Sequence, residues 1–132
     1  MSRENVELVR AFVAKPVLGL TEADFDEVCD PALELIALRS GTEGSFRGLA
    51  GFLRFQADTA TTFEKFEQHY EEFHAVGERV LAGGTIRVRG AGSGVEMDIP
   101  AWNVVEFRDG KISRWESFGS KADALKAVGL EE

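Results

Sequence analysis

Asn103 is the one amide on an otherwise apolar strand face, so it is the first residue whose chemistry has to be explained. Met97, Ile99, Ala101, Asn103, Val105 and Phe107 alternate with Glu96, Asp98, Pro100, Trp102, Val104 and Glu106. A strand over 94–107 therefore puts the first set on a buried face and the second on the opposite face. The turn Arg108-Asp109-Gly110-Lys111 joins it to a strand over 111–118, because Asp-Gly tolerates the positive φ angles of a tight hairpin. The same alternation sends Ser113, Trp115, Ser117 and Gly119 inward and Ile112, Arg114, Glu116 and Phe118 outward. Asn103, Trp115 and Ser117 then share one face. A buried amide without a partner costs roughly 1–3 kcal/mol. Asn103 either satisfies a core, through Ser117 or a trapped water, or orients a ligand carbonyl or hydroxyl.

Other residues could also carry chemistry. Glu67, His69 and Glu71 alternate on one strand face and His74 follows. These are metal-ligand types, but no His-x-His or His-Glu-x-x-His spacing supports a site, so a solvated acidic strand without metal is expected. His69 and Tyr70 are the titratable pair that could move protons in a catalytic site, and a bulge would decide which of them faces inward. Gly90-Ala91-Gly92-Ser93-Gly94 imitates a phosphate loop. It links two strands and opens no helix, so it reads as a hairpin tip. Cys29 is the single cysteine, which excludes an intrachain disulfide and a four-cysteine zinc site. On an apolar helix face it reads as inert packing. No cofactor is implied.

The elements that must position these residues follow from periodicity. Val6, Val9, Phe12 and Val13 predict a helix over 3–15 that Pro16 stops. Thr21 with Asp24 predicts a capped short helix burying Phe25, Val28 and Cys29, ended by Asp30-Pro31. A strand over 33–39, a loop over 40–48 and a third helix over 49–62 come next. Four long strands, 65–75, 79–90, 94–107 and 111–118, are separated by turns at Gly77 and at 90–94. Ser120 and Asp123 cap a last helix, 121–128, with Gly129 just past its end. The order α-α-β-α-β-β-β-β-α predicts a single α+β domain over 1–132, a curved antiparallel sheet with helices on one face. A bent sheet closed by helices leaves a conical hollow suited to a ligand. Its expected walls are Phe12, Leu35, Phe55, Met97, Ile99, Asn103, Val105, Trp115 and Ser117.

The formal net charge of −8 argues against nucleic acid or an anionic membrane as partner. With 44% apolar and 29% charged residues, the profile is that of a globular chain. The N-terminal residues form no apolar signal core and no run of about 18 apolar residues exists, so a cytoplasmic protein is expected. Trp102, Val104, Ile112 and Phe118 make the outer sheet face apolar. That predicts a homodimer built sheet to sheet with twofold symmetry, unless a C-terminal helix covers the face.

The order and spacing of Glu4-Asn5-Val6-Glu7-Leu8-Val9-Arg10, Asp30-Pro31, Phe46-Arg47-Gly48 and Phe107-Arg108-Asp109-Gly110-Lys111-Ile112 resemble the nuclear-transport-factor-two-like superfamily, in its SnoaL-like (polyketide cyclase-like) branch. The resemblance covers nearly the whole chain. It implies a cystatin-like, cone-shaped α+β barrel with a mixed sheet. It implies no single activity, since the superfamily mixes isomerases, cyclases, dehydratases, hydrolases and non-enzymatic binding proteins. Where the cyclases carry an acid/base aspartate six residues after the turn lysine, this chain has Ser117. Where the family often has a histidine or an acid, it has Asn103. The isomerases' general-base aspartate falls near Leu35, and the tyrosine of their first helix near Phe12. None of these four side chains exchanges protons near neutral pH.

Three functions are consistent with this. The chain could bind a small hydrophobic molecule, oriented by Asn103 and Ser117. It could be a cofactor-independent isomerase, cyclase or dehydratase acting on a polyketide-, terpenoid- or steroid-like substrate. His69 or Tyr70 would then carry the proton and Asn103 would stabilise an oxyanion. Or it could be a structural dimer whose own side chains fill the hollow.

Overall fold

The structure is a computed structural model and describes residues 2–37 and 45–129. The last two residues of the expected strand 33–39 and positions 40–44 of the expected loop lie outside the described residues.

Helix α1 (Ser2–Val13) buries Val9 and Val13, the apolar positions four apart that its periodicity required. Beyond Pro16 a 3-10 turn (Val17–Gly19) leads to α2 (Glu22–Val28). Thr21 and Asp24 cap α2 reciprocally. Lys15 Nζ lies 2.7 Å from Asp24 Oδ1, tying the end of α1 to the start of α2. The hydrogen bond from Lys15 and those from Thr21 pull the Asp24 carboxyl down to about 2.

β1 (Cys29–Ile36) begins directly after α2, four residues earlier than the sequence suggested. Asp30-Pro31 interrupts a strand here and does not end a helix. Asp30 Oδ1 accepts the Ala32 N–H at 2.8 Å, a local bond that competes with sheet pairing, and Pro31 has no N–H to offer. β1 accordingly pairs at Cys29, loses register, and pairs again from Glu34.

The two-residue β2 (Phe46–Arg47) precedes α3 (Gly48–Thr62). Then come β3 (Phe63–Val76), β4 (Arg79–Gly90), β5 (Glu96–Arg108) and β6 (Lys111–Phe118), followed by α4 (Lys121–Ala127). Ser120 Oγ accepts the Asp123 N–H at 3.1 Å as the α4 cap.

The strands form a six-stranded mixed sheet in the order β2-β1-β6-β5-β4-β3. Only β1 and β6 run parallel. The sheet is open, with β2 and β3 as edges, so the α+β architecture is as expected but no strand among the described residues closes a barrel. The main core, with Val9, Phe25, Leu33, Phe52, Val80 and Trp115, lies between the sheet and α1–α3. No helix among the described residues is long and apolar enough to cross a membrane.

Bulges in β6 and β3 reset which side chains face that core. Phe107 pairs with Ile112 but Glu106 pairs with Arg114, so Ser113 is an extra residue on β6. Ile112, expected on the outer face, therefore turns inward and is buried beside Cys29. On β3, Tyr70 pairs with Gly84 and Glu72 with Gly83, which makes Glu71 the extra residue there. Gly84 is needed at that point, because a Cβ would lie 2.5 Å from the His69 carbonyl oxygen.

The opposite sheet face is covered at one end by α4. Leu81, Val104, Ala124 and Val128 form a small core there, with Trp102 and Phe118 packed against it. Lys121 bonds Glu72 at 3.2 Å and lies over the Trp102 ring, and Arg79 donates to the carbonyls of Ala127 and Val128. Of the four residues expected to form a dimer face, three thus lie against the chain's own helix and the fourth, Ile112, faces the interior.

Candidate functional site

Long strands and a helical layer leave space where side chains do not meet. Between the inner sheet face, α1, the 3-10 turn and α3 lies a cavity of about 290 Å³. That is near the lower end of the roughly 300–1,000 Å³ usual for ligand pockets. Phe12 comes from α1, Val17 and Leu20 from the turn, Phe52 and Phe55 from α3. Leu33 and Leu35 of β1, Phe63 and Phe66 of β3, Ile86, Ile99, Ile112 and Trp115 complete the apolar lining. The rings interlock at offset and edge-on angles, with Phe12–Trp115 centroids 6.1 Å apart and Phe55–Phe66 6.4 Å apart.

One part of the lining is polar, and it is built on Asn103. Asn103 is 1% exposed and sits behind the cavity surface. Its Oδ1 accepts from Trp115 Nε1 at 3.0 Å and from Ser117 Oγ at 2.7 Å. Its Nδ2 donates to the Ala82 carbonyl at 3.3 Å. The partner expected from strand parity, Ser117, is thus present, and the indole N–H is a second. At the cavity surface this network presents Ser117, Gln68 and Tyr70. Gln68 Nε2 donates to the Tyr70 hydroxyl at 3.1 Å. Burial pushes the Tyr70 phenol up to about 12, although hydrogen bonds from Asn103 and Gln68 act the other way.

Of the residues expected as walls, Phe12, Leu35, Phe55, Ile99, Trp115 and Ser117 line the cavity. Three do not. Met97 lies near the β4–β5 hairpin tip and is 52% exposed. Val105 is fully buried in the main core, packed too tightly to border open space. Asn103 acts from behind Ser117 and Trp115. The titratable pair separates as well. Tyr70 lines the cavity, whereas His69 is on the other side of β3, half exposed and 3.2 Å from Glu67 Oε1. His74 likewise bonds Glu72 at 3.0 Å on the surface. Cys29 lines the cavity as the first residue of β1, not as a helix residue, and burial pushes its thiol up to about 12.

Gln68 and Tyr70 are the site residues that sequence reasoning passed over or left open. The signal existed. If Glu67 and His69 share the outer side of a strand, then Phe66, Gln68 and Tyr70 must share the inner one. A second, more open groove borders Gln68 and Tyr70 from the other side, between the end of α1 and β3, with Arg10, Lys15 and His69 around it.

A family model described as the SnoaL-like domain matches residues 7–115 of the chain. No curated protein sequence matches it. Among solved structures, TerC co-crystallized with polyporic acid is similar over 96% of this chain and 98% of its own, at 23% identity and a TM-score of 0.72. A putative SnoaL-like polyketide cyclase from Jannaschia sp. CCS1 is similar over 99% and 95%, at 18% identity and a TM-score of 0.74. A hypothetical protein with a ketosteroid isomerase-like fold from Catenulispora acidiphila DSM 44928, in complex with trimethylamine, is similar over 94% and 93%, at 15% identity and a TM-score of 0.72. At such identities the likeness establishes the fold alone.

Proposed function

The chain belongs to the SnoaL-like domain family, and we propose from that premise that it binds a small hydrophobic molecule between its sheet and its helices. The observation that carries this is the lining itself. The cavity is walled by aromatic and aliphatic side chains, its few polar groups are grouped at Ser117, Gln68 and Tyr70, and among the described residues none that lines it is charged. Such a site gains affinity by removing apolar ligand surface from water and gains orientation from a few fixed polar atoms. TerC was co-crystallized with polyporic acid, which agrees with a site of this kind in a chain of this fold.

The competing reading is a cofactor-independent enzyme on a hydrophobic substrate, and one observation favours keeping it. Tyr70 gives the cavity a group able to donate a proton or a strong hydrogen bond. It is a weak base near neutral pH, because its phenol stays protonated. His69, the other proposed proton carrier, points away from the cavity. A mechanism that needs a general base therefore has no side chain for it among the described lining residues.

Native mass spectrometry of freshly purified protein tests the binding reading. A bound apolar molecule, released on denaturation and displaced by an excess of an added hydrophobic compound, is the expected result. An empty cavity that no member of a panel of one- and two-ring compounds enters would overturn it.

A further inference from the structure

This inference rests on the binding reading and specifies the ligand. An indole N–H can only donate. The Asn103 atom that Trp115 meets at 3.0 Å is therefore the amide oxygen. Ser117 meets the same oxygen at 2.7 Å, so it commits its one hydroxyl hydrogen there. The amide nitrogen of Asn103 is thereby turned toward the Ala82 carbonyl and toward Tyr70. Gln68 donates to the Tyr70 oxygen from another direction at 3.1 Å. The Gln68 amide thus uses the phenol oxygen as an acceptor, and the Asn103 amide lies close to the same phenol. Among the described residues, no protein acceptor takes the Tyr70 hydroxyl hydrogen.

We propose that Tyr70 sets the specificity of the cavity, its hydroxyl hydrogen selecting an uncharged ligand with a carbonyl oxygen on the Tyr70–Ser117 side. A pure hydrocarbon leaves that donor unpaired in an apolar space. A carboxylate fares worse, since among the described residues no arginine, lysine or histidine lines the cavity to offset the loss of its hydration. Burial keeps the phenol protonated at neutral pH, so the donor is always available. The aromatic lining suits a flat one- or two-ring body.

The test uses three probes of matched shape on the full chain, with calorimetry as readout: 2-acetylnaphthalene, the hydrocarbon 2-isopropenylnaphthalene and 2-naphthoate. The ketone is expected to bind roughly three- to tenfold more tightly than the hydrocarbon, the worth of one neutral hydrogen bond. Naphthoate is expected to bind weakest. The infrared carbonyl stretch of bound 2-acetylnaphthalene should fall below its value in alkane solvent. Tyr70→Phe should erase both the ketone's advantage over the hydrocarbon and the stretch shift. The wild-type measurements stand by themselves if the variant folds poorly. Equal binding of ketone and hydrocarbon with an unshifted stretch, or naphthoate binding tightest, overturns the inference and leaves the binding reading intact. If none of the three binds, the binding reading falls and takes the inference with it.

Discussion

Asn103 holds three protein groups through one side chain: the Trp115 indole and Ser117 hydroxyl on its oxygen, the Ala82 carbonyl on its nitrogen. Asn103→Ala leaves all three short of a partner in a dry interior, so the variant should lose about 3 kcal/mol of stability. Urea titration checks this: the midpoint should fall with an unchanged slope. Tyr70 is the chain's single tyrosine, so its titration can be read directly from tyrosinate absorbance. Its phenol should stay protonated up to about 12, against an ordinary value of 10.0. The unfolded chain releases that proton near pH 10 and the folded chain near 12. Stability from this group is therefore fully present below pH 10 and is lost as pH rises through 12. A tyrosinate signal completed by pH 10 would contradict the buried placement. At this scale the sequence was a good guide to the amide, because an amide among Ile99, Ala101 and Val105 must find partners on the paired strand. It was a poorer guide to Met97 and Val105. Parity gives a side chain's face but not whether a helix lies over it or how tightly.

The β5–β6 hairpin shows why element boundaries were easier to read than facing. Asp109 and Gly110 both adopt positive φ, 52° and 79°, the two-residue turn that Asp-Gly announces. The strand ends around it fall where alternation put them. Ser113 was invisible, since nothing in Ile-Ser-Arg-Trp marks which residue will be left unpaired, and that one residue moved Ile112 from the surface to the interior. β1 was misjudged for a related reason. Asp-Pro reads as a helix stop in the sequence, yet it forms a local turn inside a strand whose neighbour is distant in sequence. Across the β4–β5 pair, Gly83 lies beneath the Trp102 ring, and a Cβ there would be 2.0 Å from ring carbon Cε3. Gly83→Ala should therefore displace the indole and cost about 2 kcal/mol, seen as a lowered melting temperature with loss of near-ultraviolet tryptophan dichroism. An unchanged spectrum would mean that the ring has room to give.

For the molecule as a whole, the open question is what meets the outer sheet face. α4 covers Val104 and the neighbouring Trp102 and Phe118, leaving exposed the half that carries Arg114 with Glu34, Glu106 and Glu116. A homodimer through this face stays a proposal with a definite requirement: α4 lifts, or the contact uses the charged half. Sedimentation of wild type and of Ala124→Glu separates the two. Ala124, on α4, is fully buried against the sheet, so the glutamate should undock the helix. If the apolar half is the dimer surface, the variant should self-associate more strongly than wild type at equal concentration. If the charged half is used, raising the salt should dissociate the wild-type dimer. A monomer throughout would refute both.

The parallel pairing of β1 with β6 has a consequence for synthesis. Glu34 and Arg114, joined across that pair, are 80 positions apart in the chain, and contacts of such separation form late because a long loop must close first. On the ribosome, Leu33 and Leu35 wait without this neighbour until β6 has emerged. The cavity is then completed in one step by the arrival of Trp115 and Ser117. Truncated nascent chains ending before β6 should therefore expose the greasy inner surface of β1 to chaperones, and the hollow behind it can be sealed only once β6 has been made.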